Sequence, residues 1–102
     1  MYLIRSIAQA QSGRRDEAVA QMKEMAADMQ EAASMPPSRI LTASIGPADS
    51  TVIMESEVDS LAQFEQQMAA FNKSPNMARY GKMFAELFIA GTHRFEVYRI
   101  QS

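Results

Sequence analysis

Arg39 to Val58 reads RILTASIGPADSTVIMESEV, two runs rich in β-branched residues separated by Gly46–Pro47–Ala48–Asp49–Ser50. The separating residues have the composition and length of a hairpin loop, so Arg39–Ile45 and Thr51–Val58 are predicted to be antiparallel neighbours. What flanks the hairpin decides the fold. Upstream, Ala18, Met22, Met25 and Met29 recur at four, three and four residues, Val19 and Ala26 widen the stripe, and Lys23, Glu24, Asp28 and Glu31 lie opposite. This is an amphipathic helix of about five turns, with Asp16 and Glu17 at the positive end of its dipole and Met35–Pro36–Pro37 ending it. Downstream, Asp59 and Ser60 are candidate caps, with Gln63 three residues after Ser60 as in a capping box. Leu61, Phe64, Met68 and Phe71 form the next stripe. Asn72–Lys73–Ser74–Pro75 interrupts it, and Ser74–Pro75 reads as a second cap with proline at the first helical position. Met77, Tyr80, Phe84, Leu87 and Phe88 then carry the apolar face to Gly91, a helix-ending residue.

Tyr2–Gln9 alternates and opens on β-branched and aromatic residues, and Thr92–Ile100 (THRFEVYRI) closes the chain in the same manner; both read as strands. The order is therefore β-α-β-β-α-β with the second helix broken in two. Split βαβ units of this kind predict an α+β, ferredoxin-like fold: a four-stranded antiparallel sheet with the helices on one face. The 102 residues, 47% of them hydrophobic, suit a single domain over 1–102.

Period-two alternation sorts the strands by face. Ile4, Ser6 and Ala8, with Val52, Met54 and Ser56 and with His93, Phe95 and Val97, are apolar or small and suit the helix-covered face. Leu3, Arg5, Ile7 and Gln9 share the other face with Ile53, Glu55 and Glu57 and with Arg94, Glu96, Tyr98 and Ile100. The alternation in Arg39–Ile45 is too weak to sort. A solvated sheet face is more uniformly polar than this second one, and apolar patches of that kind mark interfaces. Packing it on a second copy would close two sheets face to face into a barrel-like homodimer, with charges between them that must pair, keep water or meet a polar ligand.

Composition excludes several classes. Ten Lys and Arg against twelve Asp and Glu give a net charge of −2, which argues against a nucleic-acid partner. With no Cys there is no thiolate nucleophile, disulfide or Cys-bound metal, and a single His, His93, rules out a two-His metal site within one chain. The opening apolar run is too short for a signal peptide and is broken by Arg5; no stretch is long enough to span a membrane. A soluble, cytoplasmic domain is the expectation.

Three passages, YLIRSIAQAQSGRRDE at the start, GPADSTVIMESEVDSLAQFE in the middle and SPNMARYGKMFAELFIAGTHRFEVYRI at the end, together cover nearly the whole chain. In pattern and spacing it resembles the dimeric α+β-barrel proteins, especially their NIPSNAP-like members. The resemblance implies a homodimer with a cavity between each sheet and its helices or the facing sheet. That superfamily includes cofactor-independent monooxygenases, haem-degrading enzymes and lactone isomerases. Its haem degraders pair a helical His with an Asn on the first strand and a Trp. This chain has no Trp, keeps Ile7 and its neighbours where that Asn would sit, and carries His93 outside a helix. The monooxygenases use Trp, Asn and Tyr, of which Tyr80 and Tyr98 have counterparts here. No cofactor and no metal are expected.

The strongest constellation of chemistry-bearing residues is on the mixed face. Glu55 and Glu96 are candidate general bases, since burial between sheets raises a carboxyl pKa while an adjacent arginine keeps it ionised. Arg5 and Arg94 can orient a carboxylate or enolate by paired hydrogen bonds, and Tyr98 and Tyr80 complete the candidate ligand site. The competing reading is a set of cross-strand ion pairs that fixes the register of a dimer. His93 reads as a strand-end histidine bonded to nearby backbone, and the methionine stripe as core packing. Arg14–Arg15 reads as exposed capping charge. The expected function is a small-molecule-binding dimer, of the cofactor-independent isomerase, decarboxylase or monooxygenase kind, acting on a hydrophobic carbonyl-bearing metabolite. The alternative is a non-catalytic dimeric interaction or regulatory module.

Overall fold

The computed structural model describes residues 1–101. The elements follow the expected order: β1 (Tyr2–Gln9), α1 (Arg15–Ala33), β2 (Ser38–Thr42), β3 (Thr51–Val58), α2 (Leu61–Phe71), α3 (Met77–Leu87) and β4 (Arg94–Arg99). The strands form one antiparallel sheet in the order β2-β3-β1-β4, the ferredoxin-like arrangement, with the helices on one face. Among the described residues, no helix is long and apolar enough to cross a membrane.

Local chemistry accounts for most boundaries. The stripe of α1 is buried through Ala18, Met22, Met25 and Met29. The helix stops at Ser34, whose φ of 53° is left-handed, and two prolines then bar its continuation. Ser60 caps α2, its hydroxyl accepting a hydrogen bond from the Gln63 amide at 3.3 Å.

Four expectations need correction. β2 is shorter than Arg39–Ile45: pairing ends at Thr42, leaving residues 43–50 as a connection longer than the five-residue hairpin loop. Ser74 does not cap α3. Its hydroxyl accepts from the Asn76 amide at 3.2 Å and closes a turn, and the helix starts at Met77. α3 ends at Leu87, and Gly91, at φ 81°, serves the turn into β4 instead. β4 is two residues shorter at its start and one at its end than Thr92–Ile100.

The register confirms the division of faces and extends it to β2. Ser38, Ser56, Ile4 and Val97 form one cross-strand row beneath the helices, and Ile40, Met54, Ser6 and Phe95 form the next. On the outer face, Arg39, Glu55, Arg5 and Glu96 stand in a row across all four strands, alternating in charge. Leu41, Ile53 and Ile7 lie in the adjacent row, and Leu3 pairs with Tyr98 on the other side. A stripe of alternating charge is thus bordered by rows that mix apolar residues with Arg94 on one side and Glu57 on the other.

The core sits between the inner face and the helices. Val52 and Met54 meet the α1 methionines, with Phe71, Tyr80, Met83 and Leu87 closing the layer. Tyr80 is 1% exposed. Its hydroxyl donates to Asp28 Oδ2 at 2.7 Å, and Asn76 Nδ2 donates to the same oxygen at 3.0 Å, so α3 is tied to α1. Burial, then the bond to Asp28, pushes the Tyr80 phenol up to about 12, so it stays protonated at neutral pH.

Candidate functional site

The layer between sheet and helices is not filled. A cavity of about 220 Å³ remains between the four strands below and all three helices above. At roughly 30 Å³ per water, that is the room of about seven waters, enough for a small organic molecule. Six of the chain's nine methionines line it: Met25, Met29 and Met35 from α1 and its end, Met54 from β3, and Met68 and Met77 from the other helices. Phe64, Phe71, Phe84 and Phe95 supply aromatic walls. Thioether chains are flexible and polarisable and adjust to a bound shape at little cost, so this lining suits an apolar ligand.

The polar groups in this lining are few. Ser38 and Ser56 mark one side of the floor and Asn72 the end of α2, while Ser6 and His93 stand on the opposite side. Ser6 Oγ and His93 Nε2 share a hydrogen bond of 2.7 Å. The His93 ring is held edge-on to Phe95, with centroids 5.0 Å apart, and tilted against Phe84 at 5.8 Å. The histidine is therefore bonded to a side chain 87 residues away and not to nearby backbone, contrary to the sequence expectation. An imidazole packed between two rings beside a serine can accept or donate a proton to a ligand oxygen in the cavity.

The residues expected to carry the chemistry lie on the other face of the sheet. Glu55 is 2% exposed and clamped from both sides: Arg5 Nε donates to Oε1 at 2.7 Å, and Arg39 donates to Oε2. Burial pushes the Glu55 carboxyl up, but the two arginine hydrogen bonds and their charges outweigh it and hold the group below its ordinary value. Glu96 accepts from the Tyr98 hydroxyl at 2.7 Å and from Arg94 Nε at 3.0 Å, and both bonds lower its pKa. Tyr98 is raised in return, chiefly by that bond to Glu96. Its ring also stacks against the Arg5 guanidinium, 5.5 Å from the centroid. The structure thus brings Arg5, Glu55, Arg94, Glu96 and Tyr98 together, as the alternation required, and adds Arg39 from the strand that alternation could not sort. Each carboxylate there accepts two hydrogen bonds that lower its pKa and occupy its oxygens, which makes it a weak general base.

Tyr80 does not join them. It lies in the core on α3, its hydroxyl committed to Asp28, and it lines neither the outer face nor the cavity. Among the described residues, no three acidic or His side chains converge to hold a metal. Sequence reasoning passed over the Ser6–His93 pair. The signal was present: a serine and the only histidine on an otherwise apolar, helix-covered face.

No protein-family model matches this chain, and no curated protein matches it in sequence. Solved structures do match it in fold. A NIPSNAP family protein from Agrobacterium tumefaciens superposes with a TM-score of 0.79 at 14% identity, covering 98% of this chain and 92% of that one. An uncharacterized NIPSNAP domain protein from Burkholderia xenovorans gives 0.76 at 9% identity, over 100% and 96%. A Bordetella bronchiseptica protein provisionally described as an antibiotic biosynthesis monooxygenase gives 0.60 at 19% identity, over 100% of both chains. Superpositions of this quality over nearly the whole of both chains establish a shared fold, and identities this low establish the fold alone. The chain has the ferredoxin-like α+β fold of the NIPSNAP and antibiotic biosynthesis monooxygenase-like proteins, as its sequence resemblance implied.

Proposed function

We propose that this protein binds a small apolar metabolite carrying a carbonyl or hydroxyl group in the cavity between sheet and helices, and that it does so as a homodimer closed through the outer sheet face. The observation that carries the reading is the methionine-lined cavity with one hydrogen-bonded Ser6–His93 pair on its wall. A concave apolar site with few convergent polar groups is the usual form of a small-molecule site. The reaction this pair fits is proton removal beside a carbonyl, with His93 as the base, a step that opens both isomerisation and cofactor-free oxygenation of carbonyl compounds.

The outer face suits association better than catalysis. Its central row alternates Arg39, Glu55, Arg5 and Glu96, and both carboxylates are already paired within one copy, Glu55 by Arg5 and Arg39 and Glu96 by Arg94, so this row can be covered without leaving an unpaired carboxylate. The bordering Leu3, Ile53 and Tyr98 supply apolar contact, and a two-fold axis presents the same stripe from both sides.

Native mass spectrometry of the purified protein, beside a denatured control, tests both parts. The expected result is a dimer that either retains a small organic mass or takes one up from an added panel of apolar ketones and alcohols. A dimer that takes up nothing would sink the binding reading, and a monomer would sink the interface.

A further inference from the structure

The cavity does not end at the helices. A second, open groove runs between α2 and β4 and shares Ile4, Phe64, Met68, Asn72 and Phe95 with it, so the two form one trench. Beyond the shared wall the groove continues over Leu61 and Val97. Phe95 and Val97 are 55% and 52% exposed, although both stand on the sheet face that the helices cover elsewhere. His93, Phe95 and Val97 alternate on that face, so the floor extends along β4 for about 13 Å at roughly 3.3 Å per residue. The trench has polarity at one end: the exposed Ser6–His93 pair lies beside the half-open cavity, and Val97 marks the more open groove.

Charge narrows the ligand further. No Lys, Arg, Asp or Glu lines the cavity, and the charged residue of the outer groove is Glu65. A carboxylate in the cavity would meet no Lys or Arg and could pair only with a protonated His93, and one at the groove would face Glu65; burial of an anion with so few partners is costly. With Ser6 Oγ and His93 Nε2 bonded to each other, the hydroxyl keeps a lone pair, or its proton where Nε2 is the donor, for one neutral oxygen.

We infer that the ligand is a linear aliphatic chain with an uncharged oxygen-bearing head, an alcohol, aldehyde or ketone, its head at Ser6 and His93 and its tail along β4 toward Val97. The inference rests on the cavity being the ligand site and specifies which molecules it takes. A chain explains both the elongation of the trench and the exposed Phe95 and Val97 along its open part. A compact ring system would fill the cavity and leave the groove uncovered.

Methyl NMR of labelled methionines in the intact protein reads the site directly, because Met25, Met54 and Met68 line the trench while Met22 and Met83 do not. In titrations with butanol, hexanol, octanol and decanol, the lining methyls should shift saturably. Affinity should rise by up to about fourfold per added methylene until the groove is filled. Decanoate should bind roughly tenfold or more weakly than decanol. Ser6→Ala should weaken decanol by up to about tenfold, and Val97→Asp should abolish the gain from hexanol to decanol while sparing butanol. A flat series with naphthol shifting the same methyls would overturn the chain and leave the cavity reading intact. Decanoate binding as tightly as decanol would overturn the uncharged head. If neither alcohols nor naphthol move those methyls, the cavity reading fails and this inference with it. If Val97→Asp instead breaks a ligand-free dimer into monomers, the groove belongs to a second copy and the inference falls.

Discussion

The two faces of this sheet are made from the same strands, yet they solve opposite problems. On the inner face, Ser6, Met54 and Phe95 share a cross-strand row and stand beneath helices that do not fill the space above them. On the outer face one residue along, Arg5, Glu55 and Glu96 share the next row, Glu55 held by Arg5 and Arg39 and Glu96 by Arg94 and Tyr98. The inner face has unoccupied volume and a hydrogen-bonded pair able to meet a ligand. The outer face has charge in abundance, and Glu55 and Glu96 already have their partners within the sheet. A concentration of acids and bases is therefore a weaker sign of a binding site than a small number of polar groups beside empty apolar space.

The contrast can be broken first at Tyr80, assigned to the ligand site from sequence and found in the core. Tyr80→Ala should cost about 3–5 kcal/mol of stability in urea unfolding, with the subunit count unchanged wherever the protein is folded. A cost no larger than that of an exposed substitution would show that the core does not depend on the α1–α3 tie. Glu55→Gln should come next, since it leaves Arg5 and Arg39 facing a neutral group and costs roughly 1–3 kcal/mol. Here the effect should appear as weaker subunit association as well as a lower midpoint. The pH dependence has a definite sign. Because the folded pKa of Glu55 is held below its ordinary 4.5, its contribution is complete above that value and is lost as pH falls through the lowered one. The acid limb of the stability profile should be visibly flatter in the glutamine variant.

Filling the inner face sharpens the comparison from the other side. Met68→Trp, on the wall common to cavity and groove, should prevent ligand uptake while changing stability by less than about 1.5 kcal/mol, because the added ring enters existing space. Loss of the fold instead would mean that the wall is packed too tightly to admit a ligand. The smallest effect belongs to Glu96→Gln. Melting temperature should barely move, but the Tyr98 phenol should titrate closer to its ordinary 10.0, since the bond to the Glu96 carboxylate is the chief cause raising it. The ultraviolet absorbance of tyrosinate across an alkaline titration reads this, and an unchanged curve would place Tyr98 outside the Glu96 network.

Much of this architecture was legible in one sequence. The alternation in Tyr2–Gln9 and Thr51–Val58 matches β1 and β3 to the residue, and it separated Ser6 and His93 from Arg5 and Glu96 onto the correct faces. Ser60 announced α2 because a cap is a local interaction, complete within four residues. β2 was harder to read. Its alternation is weak, and only pairing with β3 shows that Ile40 faces the helices and Arg39 faces Glu55.

The amino-acid sequence by itself determined the order of elements, the two faces and the charged stripe, since each follows from periodicity within a single strand or helix. Tertiary structure alone decided where the cavity lies. Ser6 and His93 meet across 87 residues, and methionines from α1, β3, α2 and the start of α3 surround one cavity. Periodicity specifies the direction in which a side chain points; it carries no information about the distance between the layers it points into. That separation is set by the packing of all three helices on the sheet at once, and the unfilled volume belongs to the assembled layers and to no single segment.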